Sequence, residues 1–430
     1  MLPAKSVQLA TVSSLFPRQL NAYWKTRGIE TVTVSKDISR AEARDLTARG
    51  PGKFVSAWEK ESRAYAALRS VAMHAGAMLE GATFPYIRDY HERRTKRVLA
   101  RKSWEWGFCD KLASAYPLAR SALAENPSFV FGQEIGDYGL ATALCRRVPT
   151  FLFPWGGDVY YSAETSPAFY AMIHYALHAV DLVFPSSTSA AKHIVNRFAL
   201  PPEKVMPISW GIDLRRFTRA EGAVREQLRE KWRIPPGKKV LLNSRRFHPD
   251  WGGDAAIAAF IEVLRRRSDV QCVVFSGPGT EALLRDAERQ IARHGLADSF
   301  TLLFGELPLS DVAELMSLSD VFLSLMTLGD MRSASVLQAA AAGGTPILSR
   351  SPEWSHLTAE GFRALLVNPS DSDETSRAIL DALINADWAA SVRRDNRLWL
   401  EANENCETQL ARMLDAITLI CERRQSPLRS

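Results

Sequence analysis

Cysteine is scarce in this chain and does not come in pairs. The 430 residues hold five, Cys109, Cys145, Cys272, Cys406 and Cys421, and no two stand at CxxC spacing. An odd, scattered set argues against a disulfide framework and against a structural zinc site, and reads as reduced thiols used as small apolar side chains. Long apolar runs are missing too. None approaches the roughly 18 residues that a membrane-spanning helix needs. The opening, Met1 to Phe16, lacks the continuous apolar middle and small-residue cleavage site of a signal peptide, and reads as a first β-strand. These absences give the expectation of a cytoplasmic protein. There is no repeat of fixed period and no low-complexity tract. Histidine is sparse at eight residues. His174 and His178 share a helix face at i, i+4, but no third ligand accompanies them, so no metal is expected.

What remains is the profile of a globular protein, with 46% hydrophobic and 24% charged residues. The net charge of +6 and pI of about 9.1 suit an anionic ligand or surface without requiring one. The length allows two or three domains.

Strand and helix patterns alternate in two sets. In the first, Val7–Val12 is strand-like, Pro17–Thr26 helical and Ile29–Val34 a strand, the opening of a parallel α/β sheet. Further strands are expected at Phe129–Phe131, Thr150–Phe153, Leu182–Phe184 and Val205–Ile208, with helices at Pro167–Ala179 and Ser189–Phe198. The second set runs from Val240–Leu242 through helix Asp254–Arg266, strand Val270–Phe275, helix Glu281–His294, strand Phe300–Phe304, helix Ser310–Ser317, strand Val321–Leu325 and helix Ser333–Ala342 to strand Pro346–Leu348. The fold class expected is therefore α/β, with two doubly wound Rossmann-type domains. Residues 1–212 form the first, with a helical basic insertion at about 40–125, and 213–400 the second. Residues 401–430 are expected to form a C-terminal helix that packs back on the N-terminal domain. Residues 213–235 are the most linker-like.

Seven basic residues lie between Arg88 and Lys102, with Trp104 and Trp106 following. Aromatics beside a basic helix suggest peripheral contact of 88–106 with an anionic membrane; a solvated helix face with core tryptophans is the alternative. No nucleic-acid-binding module is recognisable.

The segment Leu328 to Pro346 concentrates chemistry. A strand ends, a loop carries Asp330, Ser333 stands where a helix N-cap belongs, and Gly343-Gly344 close the helix. Unpaired N–H groups at that helix start, around Arg332 to Val336, form an anion site at the carboxyl edge of a parallel sheet, where a diphosphate would sit. An ordinary alanine-rich packing helix is the alternative reading of the same residues.

This segment resembles the E-x7-E signature of glycosyltransferase family 4, the "glycosyl transferases group 1" of GT-B fold. Other stretches resemble that family in its order. Trp155-Gly156-Gly157-Asp158 is similar to its W-G-S-D turn, Trp210 to Phe217 to its G-V-D-x-x-x-F hinge, and Ser244 to Pro249 to the start of its nucleotide-binding domain. Phe275 to Gly279 resembles its second-strand glycine turn, and Leu303-Phe304-Gly305-Glu306 its F-x-G turn. The resemblance implies two domains facing across a cleft and transfer of a sugar from a UDP-, GDP- or ADP-linked donor with retention, without cofactor or metal. A glycan or lipid-linked acceptor in cell-surface polysaccharide synthesis is implied; with the basic segment 88–106, the expected place is the cytoplasm, peripheral on the inner membrane face.

Carried over residue by residue, Arg245 and Arg246 would bind the diphosphate, with Arg332, Ser333, Ala334 and Ser335 donating to phosphate. Gly305 and Glu306 would lie beside the base. Asp330 takes the first acidic place, against the sugar hydroxyls, and Gln338 the second, against the ribose. Asp158 would orient or deprotonate an acceptor hydroxyl, or else cap the turn it sits in. The chain departs from the pattern at Gln338, which replaces a carboxylate, and at Trp251, which stands where a lysine often follows the arginine. A non-catalytic GT-B-fold partner or scaffold protein is the alternative that these departures imply.

Overall fold

The structure is a computed structural model and describes residues 3–10, 15–36, 40–49, 52–57, 115–165, 167–277, 279–327 and 332–425. Asp330 and the basic segment 88–106 lie outside the described residues, so the expectations resting on them have no structural counterpart. The chain divides into two compact units, one of Met1–Ser209 with Leu410–Ser430, the other of Trp210–Gln409.

In the first unit six strands, β1 (Lys5–Leu9), β2 (Glu30–Ser35), β3 (Lys53–Ser56), β4 (Phe129–Gln133), β5 (Thr150–Phe153) and β6 (Leu182–Val183), form one sheet of order β3-β2-β1-β4-β5-β6. Every pairing is parallel. This is the doubly wound order whose switch point falls between β1 and β4. Among its helices are α1 (Leu15–Thr26), α2 (Arg40–Arg49), α3 (Asp137–Leu144), α4 (Pro167–Ala179) and α5 (Thr188–Phe198).

Side chains alternate across the pleat, so each strand feeds two layers. Val7, Leu9, Val32, Val34, Val130 and Leu152 build an aliphatic core on one face. On the other, Trp24 meets the Phe129 and Phe131 rings edge-on at centroid distances of 5.3 and 5.7 Å, worth about 0.5–1.5 kcal/mol per pair beyond area burial.

Two expectations change here. Helix α2 and strand β3 lie inside the stretch read as a helical insertion, and β3 is the sheet's edge strand. Its four residues are too short to register as a periodic pattern. Conversely, Val205–Ile208 is not a strand. Met206 and Ile208 donate to the carbonyls of Val183 and Pro185, both at 2.9 Å, but the pairing amounts to one isolated parallel bridge, Val205 with Val183, and Pro207 offers no N–H to a further strand on the outer side.

The second unit repeats the architecture. Strands β7 (Lys239–Asn243), β8 (Val270–Phe275), β9 (Phe300–Leu303), β10 (Val321–Ser324), β11 (Thr345–Ser349) and β12 (Leu365–Val367) form a parallel sheet of order β12-β11-β10-β7-β8-β9. Its switch point lies between β7 and β10. Val240 and Leu242 enter one core while Leu241 between them enters the other. The helices are α6 (Gly222–Lys231), α7 (Gly253–Leu264), α8 (Glu281–Arg293), α9 (Leu309–Leu318), α10 (Ala334–Ala341), α11 (Pro352–Ala359), α12 (Ser372–Ile384), α13 (Ala386–Asn403) and α14 (Cys406–Gln425). Helix α6 occupies much of the linker-like stretch 213–235. Phe217, Ala220 and Ile234 around it are buried in the second unit's core.

Candidate functional site

At the switch point of the second sheet two strand ends meet a helix start. Strand β7 ends at Asn243, whose side-chain amide donates to the Leu323 carbonyl of β10 at 3.2 Å and ties the two strands together. The chain then reaches Arg245 and Arg246. Strand-like alternation sends neighbouring side chains in opposite directions, and these two arginines part company. Arg246 is exposed and lies along the Ser276–Gly279 turn. A Cβ on Gly277 would stand 3.2 Å from Arg246 Cγ, and one on Gly279 3.2 Å from Arg246 Nη2. Both glycines have positive φ, +71° and +76°, so this turn needs glycine for its backbone as well as for the close approach of the arginine. Ser276 Oγ accepts the Gly305 N–H at 2.8 Å and so joins this turn to the next. Gly305 adopts φ +84°, and Glu306 after it is exposed.

Arg245 turns inward. Its Nη1 donates to Ser333 Oγ, its Nη2 lies 3.7 Å from Met326 Sδ, and the guanidinium carbon sits 4.5 Å from the Trp251 ring centroid. No carboxylate pairs with it among the described residues. Burial draws its pKa down to about 10, so the group stays charged at neutral pH but in a poorly solvated place.

Helix α10 starts beside it. Ser333 stands at the N-cap, with extended backbone, but its hydroxyl does not cap the helix. It accepts from Arg245 and shares a hydrogen bond of 2.9 Å with Ser335 Oγ. Val336 and Leu337 donate to the Ser333 carbonyl at 3.2 and 3.3 Å, while the N–H groups of Ala334 and Ser335 precede the helical ladder and lead the positive end of its dipole. Gln338, one turn on, is partly buried, and its side-chain amide makes no hydrogen bond among the described residues.

Arg332 faces elsewhere. Its Nε donates to Glu353 Oε1 at 2.8 Å and its Nη1 to Glu404 Oε1 at 2.6 Å, both carboxylates being fully buried. Burial pulls the Arg332 pKa down, but the Glu404 and Glu353 carboxylates outweigh it and leave it raised. The guanidinium expected at the phosphate therefore braces the segment behind it. Glu353 and Glu404 were missed in sequence, since each lies in a stretch without a motif.

In the first unit, β5 leads into a turn with Gly156 at φ +89° and then a π-helical turn, Asp158–Ser162. The Asp158 carboxylate points into that turn. Oδ2 accepts from the N–H groups of Ile135 at 2.8 Å and Trp155 at 3.1 Å, and Oδ1 from Val159 at 3.0 Å. Burial and then the nearby Glu134 carboxylate push its pKa up to about 6, against the three backbone donors. Glu134 follows the end of β4, at the edge of the first sheet's switch point, with φ +71°. A non-glycine residue there is uncommon and marks a site where the fold imposes the conformation. No sequence pattern pointed to it.

Among the described residues no group of three or more His, Cys, Asp or Glu side chains is placed to hold a metal ion, and no helix is long and apolar enough to cross a membrane.

Comparison with known proteins bears on this arrangement. Residues 224–399 match the family model "Glycosyl transferases group 1". The chain is 28% identical over 396 residues to the GDP-mannose-dependent alpha-(1-6)-phosphatidylinositol monomannoside mannosyltransferase of Mycobacterium tuberculosis, covering 88% of this chain and 90% of that protein. It is 28% identical over 261 residues to the alpha-monoglucosyldiacylglycerol synthase of Streptococcus pneumoniae, covering 58% of this chain and only 57% of that protein. Among solved structures, Anabaena Alr3699/HepE in complex with UDP and glucose superposes with a TM-score of 0.72 at 12% identity, over 96% of this chain and 99% of that one. Sucrose-phosphate synthase from Thermosynechococcus elongatus does so at 0.71 and 14%, over 97% and 99%. Those likenesses speak for the GT-B fold. The segment that matches the family model spans most of the second of the two doubly wound units, and over that segment the chain is similar to the glycosyl transferases group 1 family.

Proposed function

We propose that the protein transfers a sugar from a nucleoside-diphosphate donor to a glycan, lipid-linked or other glycoconjugate acceptor, with retention of configuration and without a metal. One observation carries the donor reading. Arg245 is a partly buried cation with no carboxylate partner among the described residues, hydrogen-bonded to the N-cap residue of a helix whose leading N–H groups follow it. Desolvating a lone charge is unfavourable, and an anion binding there would offset that cost. A diphosphate matches in charge and in its capacity to accept paired N–H donors. As it leaves, its growing negative charge would be held by the same guanidinium and the α10 dipole, which is the work a metal does in other transferases.

Two relatives are named for acceptors that carry lipid, diacylglycerol in one and phosphatidylinositol in the other. They support a lipid-linked acceptor here. Asp158 we assign to shaping the acceptor-side turn, because its oxygens already serve three backbone donors, and Gln338, whose amide makes no hydrogen bond among the described residues, to the ribose hydroxyls. The test is release of nucleoside diphosphate from UDP-, GDP- and ADP-sugars in the presence of diacylglycerol, phosphatidylinositol or oligosaccharide acceptors. Acceptor-dependent release that is unchanged by EDTA is expected. Binding of nucleotide without turnover of any donor would instead favour the partner-protein reading.

A further inference from the structure

We infer that Trp251 is a positioning residue for the donor site, holding the Arg245 guanidinium by its face so that its edge is left for phosphate. The inference rests on the nucleotide-sugar reading above and deepens it. A guanidinium offers five N–H donors in one plane and a weakly hydrated face above and below. The Arg245 guanidinium carbon lies over the Trp251 ring, 4.5 Å from its centroid, and among the described residues two of its donors are engaged, by Ser333 Oγ and Met326 Sδ. The edge that remains is the part suited to bidentate contact with phosphoryl oxygens. A flexible four-bond side chain would otherwise lose much of its rotamer freedom on binding, and stacking takes that loss in the empty protein.

The indole is fixed in turn by its own loop. Pro249–Trp251 form a single 3-10 turn, capped by His248 Nδ1, which accepts the Asp250 N–H at 3.2 Å. The Thr327 N–H donates to the Asp250 carbonyl at 3.1 Å and so ties the turn to the end of β10. Gly252 follows at φ +73°, and a Cβ there would overlap the Leu325 carbonyl. The turn is thus locked against the strand that leads to α10, and Trp251 holds Arg245 in register with Ser333. An indole is the strongest of the side-chain partners for a cation, and the interaction gains where water is excluded.

The experiment measures the affinity of UDP, GDP and ADP by calorimetry for wild type, Trp251→Leu, Trp251→Phe, Arg245→Met and the two corresponding doubles. Thermal melting reports that each variant is folded. Trp251→Leu is expected to weaken the best-bound nucleotide about tenfold, and Trp251→Phe no more than about threefold. In the Arg245→Met background neither Trp251 substitution should change the affinity further, since the group they act on is gone. Equal losses in both backgrounds would overturn the inference, because the indole would then act on the ligand or the loop rather than on Arg245. So would a Phe variant as weak as the Leu variant. If Trp251→Leu does not fold, the Phe pair decides: its small loss must appear with Arg245 present and vanish with Arg245→Met. Wild type that binds none of the three nucleotides would bring down the donor reading and this inference together, whereas binding that is indifferent to Trp251 brings down this inference alone.

Discussion

Arg245 and Arg246 are adjacent in sequence, and the fold gives them different surroundings. One lies on a glycine turn in water, the other against an indole and a serine at a helix start. Sequence reading could name the pair but could not tell them apart, because direction out of a strand end depends on where the chain turns. Asp158 illustrates the same limit. Its place after Trp155-Gly156-Gly157 was legible, while the three backbone donors around it come partly from Ile135, 23 residues away. Its surroundings give a prediction with a definite sign. The folded pKa of about 6 lies above the ordinary 3.8, so between these values the folded state binds the extra proton. This group's contribution to stability therefore falls as pH rises from about 4 to 6, by roughly 3 kcal/mol in all, and is level above that. Denaturant unfolding of wild type and Asp158→Asn across pH 4–7 checks it. The difference between the two should move against wild type through that window; a flat difference would mean the carboxylate titrates near its ordinary value, and a rising one that it titrates below it.

At the scale of elements, the strong periodic patterns were readable. Thr150–Phe153, Val270–Phe275 and Pro167–Ala179 form with the bounds their residues suggest. Short or interrupted pieces were not, as with β3 and β12, whose order depends on a neighbouring strand rather than on their own pattern. The start of α10 shows how packing redirects a local signal. Ser333 has the residue type and position of a cap, yet its hydroxyl serves Arg245 and Ser335. Support for that helix start comes instead from Arg332, which joins the residue before Ser333 to α11 through Glu353 and to the end of α13 through Glu404. Removing a cation shared by two buried carboxylates is costly. Arg332→Met is expected to lower stability by about 3–5 kcal/mol in denaturant unfolding, with turnover falling as the α10 start loses its brace. A loss below about 1 kcal/mol would show that other groups hold these carboxylates.

At the scale of the whole molecule, one strand order recurs in two units, and most of this was visible as two sets of alternating patterns. The path of the chain was less so. It leaves the first unit after Ser209, builds the second, and returns at Leu410 partway along the continuous helix α14. Leu410, Met413, Leu414 and Ile417 are buried, and Arg424 pairs with Asp181 at 2.6 Å. A helix pattern shows which face is apolar but not which core receives it. The proposed donor site, by contrast, draws on residues within the second unit, from Arg245 to Gln338. Among the described residues Arg245 has no carboxylate partner, and a nucleoside diphosphate is proposed to supply the anion. Calorimetric titration of UDP, GDP and ADP into wild type and Arg245→Met tests this most directly. Wild type should bind at least one of them below millimolar concentration, and the variant should bind it at least tenfold more weakly while melting no lower than wild type, since a poorly solvated charge has been removed. Equal affinity in the two proteins, or no binding of any of the three at millimolar concentration, would contradict it.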